Sequence, residues 1–246
     1  MTTLTPRKAK PFGPEWRARL AYLSFAVGLL AASLTPASAR SPNRDVAGVF
    51  DYYALVLSWS PTYCEEAGDD RRDPQCRPRR ERPFAFVLHG LWPQYEKGYP
   101  NFCRTSQRPY VSDGIIRAML PIMPARGLII HQYKKHGVCS GLKPSRYFGA
   151  AKKLYEFIKI PERYGNAREP QTVTVQELKQ DFVAANRGLK PDMIGVSCRR
   201  GRGNQLREIR ICFTPKGRLR SCGQNERQRR LCRAKKMYVP PVRYRR

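Results

Sequence analysis

Three histidines, confined to two short segments, are the residues of this chain best suited to proton transfer. His89 lies in FVLHGLWPQ (86–94), and His131 and His136 lie in HQYKKHGVCS (131–140). The chain of 246 residues contains no other histidine. Histidine both donates and accepts protons near neutral pH, because its ordinary pKa is about 6.5. We therefore expect these side chains to take part in acid–base chemistry.

Helical spacing in the second segment brings a cation beside its first histidine. Residues four apart share a helix face, so His131 and Lys135 converge, and His136 follows at the helix end. If His89 faces them across a cleft, the site has two proton-transfer groups and two cationic or hydrogen-bonding groups. Phosphodiester cleavage by transphosphorylation needs such a set: a base for the attacking hydroxyl, an acid for the leaving oxygen, and positive charge on the phosphorane. Read alone, His89 beside an apolar strand is also compatible with an ordinary core histidine.

Net charge points to a polyanionic partner. The chain carries 47 Lys or Arg against 19 Asp or Glu, a formal net charge of +28. Seventeen of the basic residues lie in 199–246, and a second basic run occupies 71–82. Such a field raises the local concentration of anions. Charge does not separate RNA from DNA, anionic lipid or acidic polysaccharide, and both runs are compatible with solvated faces or a disordered tail.

The first 39 residues have the organisation of a secretory signal peptide. Basic residues precede an apolar segment (20–34), and three small residues (37–39) precede Arg40. The apolar run is shorter than the ~20 residues that a membrane-spanning helix needs. We predict cleavage after Ala39 and a domain over 40–246. Because the leader holds five Lys or Arg and one Glu, the mature chain keeps a net charge of +24. We also predict export to the periplasm or the medium, without membrane attachment after cleavage.

All eight cysteines follow this leader. An even number of cysteines in an exported chain predicts four disulfides in an oxidising compartment. Zinc is the competing use, but the cysteines and histidines lack the paired CxxC spacing of structural zinc sites. His131 and His136 are five residues apart, whereas zinc ligands on one helix sit four apart. We therefore expect neither a metal nor another cofactor.

Local patterns predict helices and strands in no regular alternation. Residues 49–59 have the composition of a strand. Residues 84–88 are expected to form a short buried strand with His89 at its end, because Gly90 and Pro93 then interrupt the hydrogen bonding between strands. We predict four helices, over 112–119, 126–136, 145–158 and 174–185. Gly137 is the expected C-cap of the second helix, and a capping box begins the fourth. A further strand is predicted over Leu206–Phe213. This order favours an α+β fold.

The two histidine segments resemble the two active-site segments of the ribonuclease T2 family of secreted ribonucleases. HGLWPQ (89–94) is similar to the first and HQYKKHGVC (131–139) to the second. LSWSPTYC (57–64), NFC (101–103), the helix from Tyr147 and EIRIC (208–212) also fall in family order, so the resemblance covers most of the mature chain. It implies an antiparallel β-sheet packed against helices in a disulfide-stabilised single domain.

The resemblance implies a role for each catalytic residue. Members of the family cut single-stranded RNA without metal, through a 2′,3′-cyclic phosphate that ends as a 3′-phosphate. His136 would take the proton of the ribose 2′-OH, and His89 would protonate the 5′-oxygen. His131 would hold the phosphate, and Lys135 would stabilise the charge that develops on it.

The implied base-binding residues suggest low sequence specificity. Trp92 resembles the tryptophan that stacks a base, and every base offers a π-face. Tyr95 or Tyr99 would supply a second wall, and the sequence does not choose between them.

The chain departs from the family pattern at two positions. Gln132 stands where the family usually has glutamate. An amide can hydrogen-bond a phosphate oxygen without charge repulsion, but it does not stabilise a neighbouring imidazolium as a carboxylate does. Gln94 stands where some members carry an acidic residue that contacts the base. The resemblance therefore implies a retained activity with an altered pH dependence, and it leaves base preference open.

The resemblance also implies which cysteines pair. Eight cysteines permit on the order of 100 connectivities, so spacing alone does not select one. The implied pairs are Cys64–Cys76, Cys103–Cys139, Cys198–Cys232 and Cys212–Cys222.

Two functions from different classes remain compatible with the sequence. The main prediction is an exported, monomeric endoribonuclease that acts on single-stranded RNA without a cofactor. The alternative is a weakened or inactive family member that binds RNA or another polyanion, favoured by Gln132 and by a basic C-terminal tail over about 233–246. Product analysis after incubation with RNA separates them.

Overall fold

A computed structural model describes residues 45–68, 73–76, 83–106, 108–199, 201 and 203–242. The predicted leader over 1–39 lies outside these residues, as does most of the basic run 71–82. No helix within the described ranges is long and apolar enough to cross a membrane.

A four-stranded antiparallel sheet forms the centre of the fold. Its strands are β1 (Tyr52–Trp59), β2 (Phe86–Gln94), β4 (Ile194–Cys198) and β5 (Leu206–Phe213), in the order β2-β1-β5-β4. A small second sheet pairs β3 (Gln171–Val173) with β6 (Met237–Val239). Helices pack around these sheets: α1 (Ser60–Glu66), α2 (Asp113–Met119), α3 (Arg126–Lys135), α4 (Pro144–Phe157), α5 (Glu162–Gly165), α6 (Val175–Ala185) and α7 (Gln228–Leu231). The predicted α+β fold with an antiparallel sheet is confirmed, and so is the capping box that opens α6 at Thr174 and Glu177.

The central sheet has one apolar face and one polar face. Leu55 and Leu57 of β1 pair with Ile211 and Ile209 of β5, and these side chains lie in the hydrophobic core. Alternate residues point the other way. On that second face, Val56 and Ser58 of β1 pair with Arg210 and Glu208 of β5. The small side chains of β1 leave room above the second face for polar groups.

Four disulfides stabilise the domain, in the pairs that the resemblance implies: Cys64–Cys76, Cys103–Cys139, Cys198–Cys232 and Cys212–Cys222. Cys103–Cys139 joins the loop after β2 to the 3₁₀ turn after α3 (Gly137–Ser140). This link holds the two histidine segments together.

The C-terminal segment differs from the prediction of a basic tail over about 233–246. Met237 and Val239 are fully buried in β6. The indole of Trp59 donates a hydrogen bond to the carbonyl of Pro240 at 3.1 Å, and the Val242 amide donates to Ala167. The apolar residues of this segment complete the core, so the fold includes it at least as far as Val242.

Candidate active site

His89 lies within strand β2 rather than after its end, which corrects the prediction. Val56 pairs with Gly90 and Leu57 pairs with Leu88, so His89 is the extra residue of a β-bulge. A bulge leaves one residue unpaired and changes the direction of its side chain. The strand continues through Pro93 because β2 lies at the sheet edge, where a missing N–H costs no ladder hydrogen bond.

A buried carboxylate orients the His89 ring. Nδ1 of His89 lies 2.8 Å from Oε1 of Glu208, whose side chain is 8% exposed. Burial alone would raise the pKa of Glu208, but the hydrogen bond and charge of His89, with the charge of Arg210, outweigh it and lower the pKa to about 2. An ionised carboxylate only accepts hydrogen bonds. Nδ1 therefore carries the proton in this bond, and Nε2 is the nitrogen left for substrate.

Arg210 holds two buried carboxylates on the polar face of the sheet. Its Nη2 lies 3.2 Å from Oε2 of Glu208, and its Nη1 lies 3.7 Å from Oε1 of Glu226. Glu226 also accepts a hydrogen bond from the hydroxyl of Tyr52. Burial raises the pKa of Glu226. The guanidinium is thus the positive partner that both buried carboxyl groups share inside the protein.

The end of α3 places His136 in a buried position. The helix ends at Lys135, His136 is its C-cap, and the residue in the left-handed conformation is Gly141, not Gly137. The predicted C-cap at Gly137 is therefore wrong. Gly137 is needed for another reason: a Cβ there would lie 2.4 Å from Cδ2 of Tyr133.

The surroundings of His136 keep its imidazole neutral. Burial and, after it, the positive charges of Lys135, His89, His131 and Arg210 lower its pKa to about 3. Nδ1 is buried and has no hydrogen-bond partner among the described residues. A buried, unpartnered nitrogen is costly, and such groups are characteristic of functional sites.

Trp92 contacts most of the other site residues. Its ring stacks on His136 with 4.8 Å between centroids and 19° between planes, and the guanidinium carbon of Arg210 lies over the ring at 5.0 Å. Its indole N–H donates to Oε1 of Gln132 at 2.7 Å. A Cβ on Gly90 would lie 2.2 Å from that oxygen, so the glycine makes the bond possible. These contacts position His136, and an incoming base would have to share the ring with them.

The remaining predicted residues occupy different surroundings. His131 is exposed and Lys135 is half-buried on the same face of α3. Gln132 is buried, as is Gln94, whose oxygen accepts from Asn225 at 3.0 Å. Tyr95 and Tyr99 lie in the turn after β2, and Tyr99 is 53% exposed.

Sequence reasoning missed Glu208 and Arg210. The signal was present in EIRIC (208–212), where two opposite charges occur two residues apart among apolar residues. Side chains two apart in a strand share a face. A buried charge is stable only beside a partner, so this pair indicated a polar cluster on one side of the sheet.

Within the described residues, one group could bring three metal-ligating atoms together: Cys212, Cys222 and Glu226. The two sulfurs are joined in a disulfide, so they offer no thiolate to a metal.

Comparison with known proteins agrees with this fold. The sequence description of the ribonuclease T2 family matches residues 50–222. A ribonuclease of Aeromonas hydrophila is 34% identical over 171 residues, which are 70% of this chain and 75% of that protein. Among solved structures, an RNase-related protein from Calystegia sepium has a TM-score of 0.60 at 19% identity, over 79% of this chain and 98% of that one. RNase NT in complex with 5′-AMP has a TM-score of 0.54 at 23% identity, over 78% of this chain and 99% of that one. The two structures share the fold, and the sequence matches show that this chain belongs to the ribonuclease T2 family of endoribonucleases.

Proposed function

We propose that the protein cleaves single-stranded RNA by transphosphorylation, with low sequence specificity and without a metal. The ribose 2′-oxygen attacks the adjacent phosphorus, the bond from phosphorus to the 5′-oxygen breaks, and a 2′,3′-cyclic phosphate forms. Water then opens the ring to a 3′-phosphate. His136 takes the proton from the 2′-OH, and His89 gives a proton to the leaving 5′-oxygen.

The observation that carries this proposal is the contrast between the surroundings of the two histidines. His136 is buried among positive groups that lower its pKa to about 3, so it starts the reaction unprotonated, as a base must. His89 donates from Nδ1 to the ionised Glu208, which fixes the ring and leaves Nε2 as the nitrogen that would pass a proton to the leaving oxygen. Two histidines in such different surroundings, one buried among positive groups and the other hydrogen-bonded to a carboxylate, suit the two roles of an acid–base pair.

Positive charge near His136 supports binding of the scissile phosphate. His131 and Lys135 both lower the pKa of His136 through their charge, which indicates that they are close to it. A bound phosphate monoanion supplies the negative charge that this cluster lacks. We therefore expect the pKa of His136 to rise when substrate binds, which strengthens the base in the complex.

We also propose that the protein acts outside the cytoplasm as a monomer, after removal of residues 1–39. Its four disulfides support an oxidising compartment. The basic composition of the chain supports RNA as the polyanion, since cationic side chains bind its phosphates.

Incubation of the full-length mature chain with yeast RNA in excess EDTA tests the proposed function. We expect acid-soluble products, with 2′,3′-cyclic phosphates early and 3′-phosphates later. RNA binding without cleavage would overturn the proposal and favour the non-catalytic, RNA-binding alternative. Loss of cleavage in EDTA would contradict the metal-free mechanism.

Restoring a carboxylate at position 132 is expected to move the acidic limb of the pH–rate profile to higher pH. Gln132→Glu keeps an oxygen that accepts the indole N–H of Trp92 and adds a negative charge at the edge of the ring that stacks on His136. That charge favours the protonated imidazole of His136 and raises its pKa, so the limb that His136 sets, the acidic limb of the kcat/KM profile, shifts to higher pH. Profiles of the two proteins at constant ionic strength measure the shift. Gln132→Met is the control, because it adds no charge, and superimposable profiles of the wild type and Gln132→Glu would contradict the prediction.

A further inference from the structure

An exposed aromatic ring lies beside the proposed phosphate-binding residues. Phe102 is 58% exposed, and its ring meets the imidazole of His131 edge to face, with 6.3 Å between centroids. A single exposed aromatic residue is common on protein surfaces. The backbone of this residue makes it unusual.

Phe102 adopts a conformation that phenylalanine rarely takes. Its φ is +48°, in the left-handed region where a Cβ meets the backbone and where glycine or asparagine is normally found. Strained residues of this kind persist where the surrounding structure holds them, and they are frequent at ligand sites.

The fold holds the backbone around Phe102 through successive residues. The Asn101 N–H donates to Oδ1 of Asp45 at 2.9 Å. The Phe102 N–H donates to the carbonyl of Lys135 at 2.8 Å, and Cys103 is bonded to Cys139. One of these links runs to Lys135 at the end of α3, and another runs to the 3₁₀ turn that follows it. The ring is therefore presented to solvent at a fixed position relative to Lys135.

We propose that Phe102 is a stacking platform for a nucleobase of the bound RNA, in a nucleotide that flanks the phosphate held by His131 and Lys135. The inference rests on the proposed function. An exposed, preorganised phenyl ring offers a π-face at little entropic cost on binding. Trp92, in contrast, already has His136 and Arg210 against its ring. Stacking on Phe102 is insensitive to base identity, which accords with low sequence specificity.

Affinity for an uncleavable oligonucleotide tests this proposal. The probe is a short 2′-O-methyl RNA, which lacks the attacking hydroxyl, and fluorescence anisotropy gives its Kd. Phe102→Leu keeps the Cβ and hence the backbone strain but removes the π-face. We expect it to weaken binding about 5- to 30-fold, whereas Phe102→Tyr should bind nearly as the wild type does. Phe157→Leu is the matched control, because Phe157 is 55% exposed and packs on Phe213; its affinity should not change.

A second probe separates stacking from a structural effect. The probes are oligonucleotides of the same length, each with an abasic residue at a different position. One of them lacks the base that stacks on Phe102, and we expect the wild type and Phe102→Leu to bind that probe with equal affinity. The proposal would be overturned if Phe102→Leu bound every abasic probe and the intact probe more weakly than the wild type by the same factor. It would also be overturned if Phe102→Leu bound the intact probe as tightly as the wild type does. Failure of the proposed function gives a different result, since wild-type protein would then bind the probe but leave unmodified RNA uncut.

Discussion

Replacing His136 with alanine is expected to lower kcat on single-stranded RNA by about 10²- to 10⁴-fold, the usual contribution of a general base. Affinity for a 2′-O-methyl oligonucleotide should stay close to that of the wild type, because His131 and Lys135 remain to bind phosphate. The pH dependence gives a second readout. Burial and neighbouring positive charges lower the pKa of His136 to about 3, so the free enzyme should keep its base unprotonated down to about that pH. The acidic limb of the wild-type kcat/KM profile should therefore lie far below the ordinary histidine pKa.

The buried position of His136 makes a control for packing necessary. Alanine leaves a space beneath Trp92, and loosening of that ring could itself reduce activity. Val138→Ala removes buried side-chain volume from the same segment without touching a proton-transfer group. We expect this variant to lose some stability and little activity. A similar loss of kcat in both variants, or a loss smaller than about tenfold in His136→Ala, would contradict the assignment of His136 as the base.

Replacing Arg210 with methionine is expected to destabilise the protein by about 3–5 kcal/mol at neutral pH, the range for breaking a buried ion pair. The change leaves Glu208 and Glu226 without their shared positive partner. Glu208 keeps its hydrogen bond to His89, but Glu226 is buried with a pKa that burial already raises, and loss of the guanidinium should raise that pKa further above its value in the unfolded chain. A carboxyl with a raised pKa costs stability where the unfolded chain ionises it, and the cost fades as pH falls and the group takes up a proton. The destabilisation should therefore be smaller at about pH 4 than at pH 7, as measured by denaturant unfolding at both values.

Two further variants test the cause of this loss. Arg207 lies on the same strand, but its side chain is 54% exposed and pairs with Glu66 at 3.4 Å. Arg207→Met should cost about 0–1 kcal/mol, as for other exposed pairs. Glu226→Gln in the Arg210→Met protein removes one buried carboxyl group that has lost its partner and should recover part of the stability. Equal losses of stability in Arg207→Met and Arg210→Met would show that the buried carboxylates are not the source of the destabilisation. A loss of stability in Arg210→Met that does not change with pH would show the same.

Local sequence determined much of this protein. The helices over 113–119, 126–135 and 144–157 and the strand Leu206–Phe213 follow from hydrophobic periodicity and proline positions, and the Thr174–Glu177 capping box follows from residues three apart. These signals are short-range, so a single sequence carries them. The histidine segments likewise identified the family, because each motif is contiguous.

Other features depend on contacts between residues far apart in the chain. The bulge that turns His89 towards Glu208 depends on the register of β2 against β1, and Glu208 itself lies 119 positions away. The strand β4 and the buried C-terminal segment were not predicted, since each is short and gains its stability from pairing and burial in the assembled core. The contrasting surroundings of the two proposed proton-transfer histidines have the same origin. Composition identifies three histidines, but only the tertiary structure surrounds one with cations and bonds another to a carboxylate, because electrostatic interactions depend on distance in space and on burial.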